Sequence, residues 1–508
     1  MSAENKLLVL ILDNWKLVSL LSFIPFIYYY YTKNYDYFEK RRIKYAKPII
    51  FFGSSISGVI GTITQIKLIQ DYYDYFKDVP YGGRKPIYCI LDTKLIKIIS
   101  ISDVDHFIDR NPFESNEPRY SKRSILLLQG AEWKSIRSML TPTFSSARIK
   151  NMFPLVLTCC DQLVDLIGLH DNDNIELKTF TGHLTLEVTG VCAFGISTDI
   201  LKDENAEYYK IAARTTYIPL PKRLFLFYIL LIMPSVLKYI PISIMNDESN
   251  RKLVKILQSS KAERMSGRSK RNDFLQLLVD ASLKEKEEVT KNGNHFKLQL
   301  DDDTVDAQAL LFLQAGFGTT STMLTYALLT LAVHVEVQDK LRAHILSVTK
   351  GKQLSYDQLS ELDYLEAVLH ETLRMYPPIP RIDRRCCKPY ILPGTSIQIA
   401  VGDIMMISVY GIHHDPEIFP DPHTFNPERF MKNGKLDKLP DSYLAFGLGP
   451  RNCIGRRFSL VVGKAVMVSL LTNFRFTTCP KTIYPLGYSK NEFLLAPEGG
   501  AWVRVEKI

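Results

Sequence analysis

Apolar positions are unevenly distributed along this chain, and the first dense run lies close to the start. Leu17 to Tyr31 holds Leu20, Leu21, Phe23, Ile24, Phe26 and Ile27 and closes on four tyrosines at 28 to 31. Basic residues follow at Lys33, Lys40, Arg41, Arg42, Lys44 and Lys47. An apolar segment, an aromatic belt and then positive charge is the order of a membrane anchor whose body faces the cytosol. The uninterrupted run is shorter than the ~20 residues of a full span. Either Leu7 to Leu12 joins it across Asp13 and Lys16, or the segment lies in the membrane interface. A cleaved signal peptide is not expected, because the charges come after the apolar run and no small-residue cleavage site stands out.

From about Gly53 the pattern changes to many helical periods and few strand-like alternations. This predicts a mainly α fold with small β-sheets. The chain divides into an anchor at 1–32, a basic linker at 33–52 and one large domain at 53–508, with no internal repeat. Leu224 to Val236 is a second apolar run, too short to span and carrying Pro234. It reads either as a lid that touches the membrane over a substrate channel or as core. Lys284 to Asp303 is polar, contains Asn292-Gly293 and predicts an exposed loop. Asp301-Asp302-Asp303-Thr304 then supplies a cap and negative charge for a long buried helix from Val305 to about Leu331. Asp306, Gln308 and Gln314 interrupt that run, which marks a core helix rather than a second span. A further helical pattern, Tyr364 to Met375, ends at Pro377-Pro378.

Length and composition narrow the class. At 508 residues and 46% hydrophobic content the chain can bury one large core. Its eight cysteines form no CxxC pair and no regular framework, so neither a zinc ribbon nor a disulfide scaffold is indicated, and a reducing compartment fits. Cys159-Cys160 and Cys386-Cys387 read as ordinary packing or surface residues. The net charge of +9 is spread along the chain, which argues against nucleic acid and suits an acidic protein partner or anionic lipid.

The candidate chemistry centres on Phe446-Gly447-Leu448-Gly449-Pro450-Arg451-Asn452-Cys453-Ile454-Gly455. Glycines on both sides let the backbone turn sharply, approach a bulky group and leave N–H groups for a sulfur, so Cys453 reads as a thiolate held against a metal. Arg451 would pair with an anionic cofactor edge and Phe446 would shield the sulfur. The competing reading is a buried structural cysteine in a glycine-rich turn. In the long helix, Ala315-Gly316-Phe317-Gly318-Thr319-Thr320 places two glycines where each costs about 1 kcal/mol against alanine. They allow either close packing on a neighbouring helix or a groove over a flat cofactor, with a threonine hydroxyl to guide protons. Glu371 and Arg374, three residues apart, share a helix face, as do Trp133 and Arg137 one turn apart. Taken alone, the first pair is an exposed ion pair.

The spacing Phe-x-x-Gly-x-Arg-x-Cys-x-Gly resembles the haem-binding signature of the cytochrome P-450 superfamily without a mismatch. Three further stretches carry the resemblance, which extends from Gly53 to Ile508. Ala315-Gly316-Phe317-Gly318-Thr319 resembles the oxygen-binding motif, with Thr319 matched but Gly318 standing where an acid is usual. Glu371-Thr372-Leu373-Arg374, with Arg429 in Asn426-Pro427-Glu428-Arg429-Phe430, resembles the buried Glu-Arg-Arg cluster. Trp133, Arg137, Arg384 and Arg451, with Arg110 as a fourth arginine, resemble the residues that bind the haem propionates. Lys47-Pro48 to Gly53 resembles the proline hinge of microsomal members, without the usual leading Pro-Gly-Pro. Pro142-Thr143-Phe144 and Tyr376-Pro377-Pro378 are most similar to the animal drug- and xenobiotic-metabolising group.

The resemblance implies haem b on the Cys453 thiolate, Ala315 and Gly316 against the haem, and Thr319 in proton delivery. Gln314, Ile379 and Pro380 are implied to line the substrate pocket. It also implies a microsomal monooxygenase that inserts one oxygen atom of O2 into an apolar substrate. Its expected place is the endoplasmic reticulum membrane, facing the cytosol. NADPH-cytochrome P-450 reductase, and cytochrome b5 as a second partner, would supply electrons near Arg456, Arg457 and Lys464. Gly318 keeps a second class in view, a haem-thiolate isomerase or dehydratase that rearranges a peroxide without a reductase. A haem-binding protein without turnover is the third.

Overall fold

The computed structural model describes residues 65–76, 86–110, 117–202, 207–215, 246–271, 273–292, 300–489 and 494–508, with scattered positions elsewhere. Most of the anchor, the hinge at 47–53 and most of the 224–236 run lie outside the described residues. The predicted class is what the chain adopts, a helical body with small sheets. Among the described residues no single helix is long and apolar enough to cross a membrane.

The central helix runs Asp302–Val333, starting three residues before the predicted Val305. Asp301 caps it, accepting from the Thr304 N–H at 2.8 Å, and Asp302 and Asp303 place negative charge at its positive end. Its composition has no polar face, as expected for a helix enclosed by the others. The preceding helix, Phe274–Asn292, corrects the predicted loop. The charged residues 284–292 continue that helix, because charge on an exposed helix face is no obstacle to helix formation.

A threonine ladder joins the central helix to the helix Leu177–Thr189. Thr181 Oγ1 meets Ser321 Oγ at 3.0 Å and Thr325 Oγ1 at 2.8 Å, and Thr185 Oγ1 donates to the Phe317 carbonyl at 3.1 Å. Gly316 is required at this contact. A Cβ there would lie 2.9 Å from the Thr189 hydroxyl, so close helix packing explains this glycine.

The main sheet has four strands in the order Tyr81–Gly82, Pro86–Ile90, Ile404–Ser408, Arg381–Arg385. Ile404–Ser408 is its buried centre, parallel to Pro86–Ile90 and antiparallel to Arg381–Arg385, with Arg384 opposite Met405. The largest apolar cluster gathers the second half of the central helix, the helix Asp363–Met375 and the helix Arg456–Asn473.

The last two of these helices share a buried charge. Lys464 is 5% exposed, with Nζ 2.6 Å from a Glu366 carboxylate oxygen and donating to the Leu359 carbonyl. Its expected place on a reductase-facing surface is therefore corrected, since a cation this buried is held where its acid partner lies. Burial alone would raise the Glu366 carboxyl, but the hydrogen bonds and charges of His370 and Lys464 outweigh it and bring it down to about 2. A carboxyl depressed from about 4.5 stabilises the fold above pH ~4.5 and loses that contribution as pH falls toward 2. Glu366→Gln should therefore lower thermal stability at pH 6, and its gap to the parent should narrow between pH 4.5 and 3. Melting curves across that range are the check, and a constant gap would refute the assignment.

Candidate functional site

The cysteine loop is shaped by its glycines. Gly447 and Gly449 have φ of +73° and +74°, in the left-handed region, and a Cβ at Gly449 would fall 1.8 Å from the Ser100 carbonyl oxygen. The Asn452 N–H donates to the Gly449 carbonyl and the Cys453 N–H to the Phe446 carbonyl, closing the loop. The helix Arg456–Asn473 begins immediately afterwards, with Gly455 at its cap. Phe446 is half-buried, with the Arg456 guanidinium 5.5 Å over its ring.

Cys453 differs from the buried cysteines 159, 160, 192 and 386 in keeping an exposed side chain. Burial by the surrounding protein pushes its thiol pKa up, while the Gly455 N–H and the charges of Arg137, Arg110 and Arg456 oppose that rise. Burial opposes ionisation of this exposed cysteine and the neighbouring cations favour it, a setting in which binding a metal would drive off the thiol proton. Ala315 is exposed, and Gly316 to Thr319 are partly so, in a helix that is otherwise largely buried. Gly455 packs on Phe144, which stacks on Phe312 of the central helix with centroids 5.4 Å apart.

The four arginines converge beside the loop but differ in what they do. Arg451 is 3% exposed and donates to three carbonyls, those of Ile108, Leu128 and Ile125, at 2.7, 2.7 and 3.1 Å. Its guanidinium lies 4.0 Å over the ring of buried Trp133. Arg137 donates both terminal nitrogens to Asn452, one to the carbonyl and one to the side chain. Arg384 is 1% exposed, and its Nε and the Arg110 Nε are buried without a partner. Burial first, and then mutual repulsion, lowers Arg384 and Arg451 to about 9. Asp109, 3.7 Å from Arg451, and Asp383 are the acids that oppose this excess. Unpaired buried donors and surplus positive charge beside an open thiol fit an anionic group such as a haem with two propionates.

Thr319 Oγ1 donates to the Ala315 carbonyl at 2.6 Å, which holds the hydroxyl against its own helix. Gly318 has a steric reason that the sequence did not reveal. A Cβ at 318 would lie 2.7 Å from Leu494 Cδ1, so Leu494, from the segment near the end of the chain, occupies the space an acid would need. That segment is anchored by the Leu495 N–H to the Pro378 carbonyl and by Thr322 Oγ1 to the Leu495 carbonyl. Of the three expected pocket residues, Ile379 is 50% exposed, Gln314 donates to Asn250 at 2.7 Å, and Pro380 is buried, its carbonyl accepting from Tyr410.

Glu371 and Arg374 are fully buried rather than an exposed pair. The Glu371 carboxylate accepts from Arg374 Nε and Nη2 at 2.7 and 2.9 Å, from Arg429 Nε at 3.1 Å and from the Asn426 N–H at 3.0 Å. Arg374 also donates to the His413 and Pro422 carbonyls. His413 is the residue that sequence reasoning missed. Burial holds its pKa well below the usual value, so Nδ1–H faces the Arg374 carbonyl and Nε2 accepts from the Leu444 N–H at 2.8 Å. The Gly447 N–H then bonds to the Leu444 carbonyl, which carries the cluster's position into the cysteine loop.

Comparison with known proteins agrees with this geometry. The cytochrome P-450 family model matches residues 47–503. Cytochrome P-450 9e2 of Blattella germanica is 34% identical, over 97% of this chain and 98% of its own length. Cytochrome P-450 6k1 of the same organism is 32% identical over 95% of each. The probable cytochrome P-450 6a13 of Drosophila melanogaster is 33% identical, over 93% of this chain and 95% of its own.

Two outcomes follow from the site. Glu371→Ala or Arg374→Ala strands a buried charge at a cost of about 3–5 kcal/mol. Each variant should purify without stably bound haem, and normal haem content in either would refute the role given to the cluster. Gly318→Asp forces Leu494 aside, so its cost should fall by about 1 kcal/mol in a Leu494→Ala background. A thermal double-mutant cycle measures this, and strict additivity would show that the two positions do not compete for one space.

Proposed function

The chain belongs to the cytochrome P-450 family, and from that premise we propose that Cys453 is the thiolate ligand of its haem. The protein is a haem-thiolate monooxygenase acting on a small organic substrate with electrons from a redox partner. When bound, the haem supplies the dioxygen chemistry. The exposed Cys453, beside the Gly455 N–H in a glycine-shaped loop, carries the ligand assignment.

The rest of the chain's work is to bind, orient and manage protons. Arg110 and Arg384, with unpaired buried Nε groups, are the donors we assign to the propionates, joined by the remaining N–H groups of Arg451 and Arg137 and by Trp133. Ala315, exposed on the central helix, is assigned to the room above a flat ring and Phe446 to the cover on the sulfur side, whereas the expected place of Gly316 against the cofactor is corrected, because it packs on Thr189. Thr319 is the residue we assign to holding a proton at its Oγ1, shared with the Ala315 carbonyl. With Leu494 where an acid would reach, proton supply at this wall passes through Thr319 and water alone. Ile379, Pro380 and Gln314 are assigned to the substrate pocket, and their apolar share suits an apolar substrate.

NADPH-cytochrome P-450 reductase and cytochrome b5 are the proposed electron donors, docking on the exposed Arg456 and Arg457 beside the loop. Residues 1–32 are assigned to a membrane anchor, 33–52 to its linker and 53–508 to the catalytic domain. The apolar, tyrosine-rich and basic order of the first segments supports a place on the endoplasmic reticulum membrane, facing the cytosol.

The reduced wild-type protein should give the carbon monoxide difference band of a thiolate-ligated haem, and Cys453→Ser should lose it. Retention of that band in Cys453→Ser would overturn the ligand. With reductase, substrate oxidation should consume NADPH and release measurable hydrogen peroxide. Rapid peroxide rearrangement with no NADPH consumption would instead establish the isomerase reading.

A further inference from the structure

Gln308 lies on the central helix, eleven residues before Thr319, and is fully buried. Its amide oxygen accepts from the Ile125 N–H at 2.8 Å, and its amide nitrogen donates to the Arg123 carbonyl at 2.6 Å. One side chain thus grips the backbone on both sides of Ser124. Arg123 Nε adds a bond to Thr304 Oγ1 at 2.8 Å, tying the same segment to the first turn of the helix. The Leu127 and Leu128 N–H groups both return to the Ser124 carbonyl at 2.9 Å, so residues 124–128 form one closed turn. The other side of that turn carries Arg451, which rests on the Ile125 and Leu128 carbonyls. Arg451 stands two residues before Cys453.

We propose that Gln308 is a positioning residue that fixes the carbonyls beneath Arg451 and so locks the cysteine loop to the central helix. The path is continuous: helix, Gln308 amide, the 124–128 turn, the Arg451 guanidinium, the loop. Both ends of the amide are used on backbone groups buried with it. A side chain of similar length without polar atoms would take the acceptor from the buried Ile125 N–H and release the Arg123 carbonyl from the helix. The turn would then be free to shift, and two of the three carbonyls that hold Arg451 would shift with it. Packing alone would not ask for an amide here, because the neighbouring positions Val305, Ala309 and Leu310 serve the apolar cluster.

The inference rests on the haem-thiolate reading only for its main readout. Holoenzymes of the wild type, Gln308→Met and Thr325→Val are compared for the rate of haem transfer to excess apomyoglobin and for melting temperature. Thr325 is buried on the same helix and bonded to Thr181, far from the turn, so it controls for loss of stability alone. Gln308→Met should lose haem about tenfold faster than wild type, while Thr325→Val of similar melting temperature should not. A wild-type rate in Gln308→Met, or equal rates in the two variants, overturns the proposal. Hydrogen exchange over residues 119–130 of the wild-type chain is a second measure that needs no variant. Slow exchange is expected at Ile125, and unprotected exchange there overturns the link. A wild-type protein without thiolate-ligated haem would sink the functional reading, and the exchange measurement would still decide on the link.

Discussion

A carboxylate at zero exposure holds this molecule's catalytic end together. Glu371 is enclosed by four donors, from Arg374, Arg429 and the Asn426 backbone, at 2.7 to 3.1 Å. A buried pair of this kind contributes little net stability, because desolvation offsets most of the attraction. Its value lies in geometry. The donors left on the two arginines fix four backbone carbonyls, those of His413, Pro422, Pro420 and Asp421, so the segment after the main sheet has one place to lie. His413 then transmits that place through its ring to Leu444 and the cysteine loop. The loop is positioned by charge at a distance, through neutral intermediates that cannot titrate near pH 7.

The opposite wall depends on the absence of side chains. Gly316 admits Thr189, and Gly318 admits Leu494, each at a separation no Cβ tolerates without movement. Two glycines that read alike in the sequence thus have different occupants, one hydroxylated and one apolar. The second substitution is the chemically consequential one. It places a methyl group where a side chain at 318 would start, one residue before the Thr319 hydroxyl on this helix. Because the Leu494 contact is with the end of a flexible side chain, the space is held by packing preference and not by backbone. This wall is therefore the most easily altered part of the site.

The resemblance carried by the spacing around Cys453 made the cofactor legible before any geometry, whereas the glycine pattern alone left a metal thiolate and a structural cysteine both open. The long central helix was legible too: capping charge followed by an unbroken apolar run admits few alternatives. What escaped sequence reasoning lies at contacts between distant segments. Lys464 looks like a surface charge until the helix carrying Glu366 is brought beside it. His413, Leu494 and the Ile125 carbonyl have no local signature, because their roles are defined by partners tens or hundreds of residues away. The polar stretch from 284 failed differently, since charged residues suit an exposed helix as well as a loop and periodicity alone does not separate them.

The arginines beside the loop show why folding and cofactor binding must be coupled here. Arg110, Arg384 and Arg451 are desolvated and repel one another, and Asp109 and Asp383 do not balance them. That arrangement is unfavourable by itself, and it is held in place by unrelated interactions: the carbonyls under Arg451, the Asn452 clasp on Arg137 and the sheet register of Arg384. An anionic group entering between them removes repulsion and satisfies unpaired donors in one step, so the favourable energy of binding is stored in the protein beforehand. Two of these arginines, Arg110 and Arg137, also favour the ionised form of Cys453, so the cysteine loop and the arginine cluster share part of one electrostatic field. Weakening the field at either end should therefore be felt at the other.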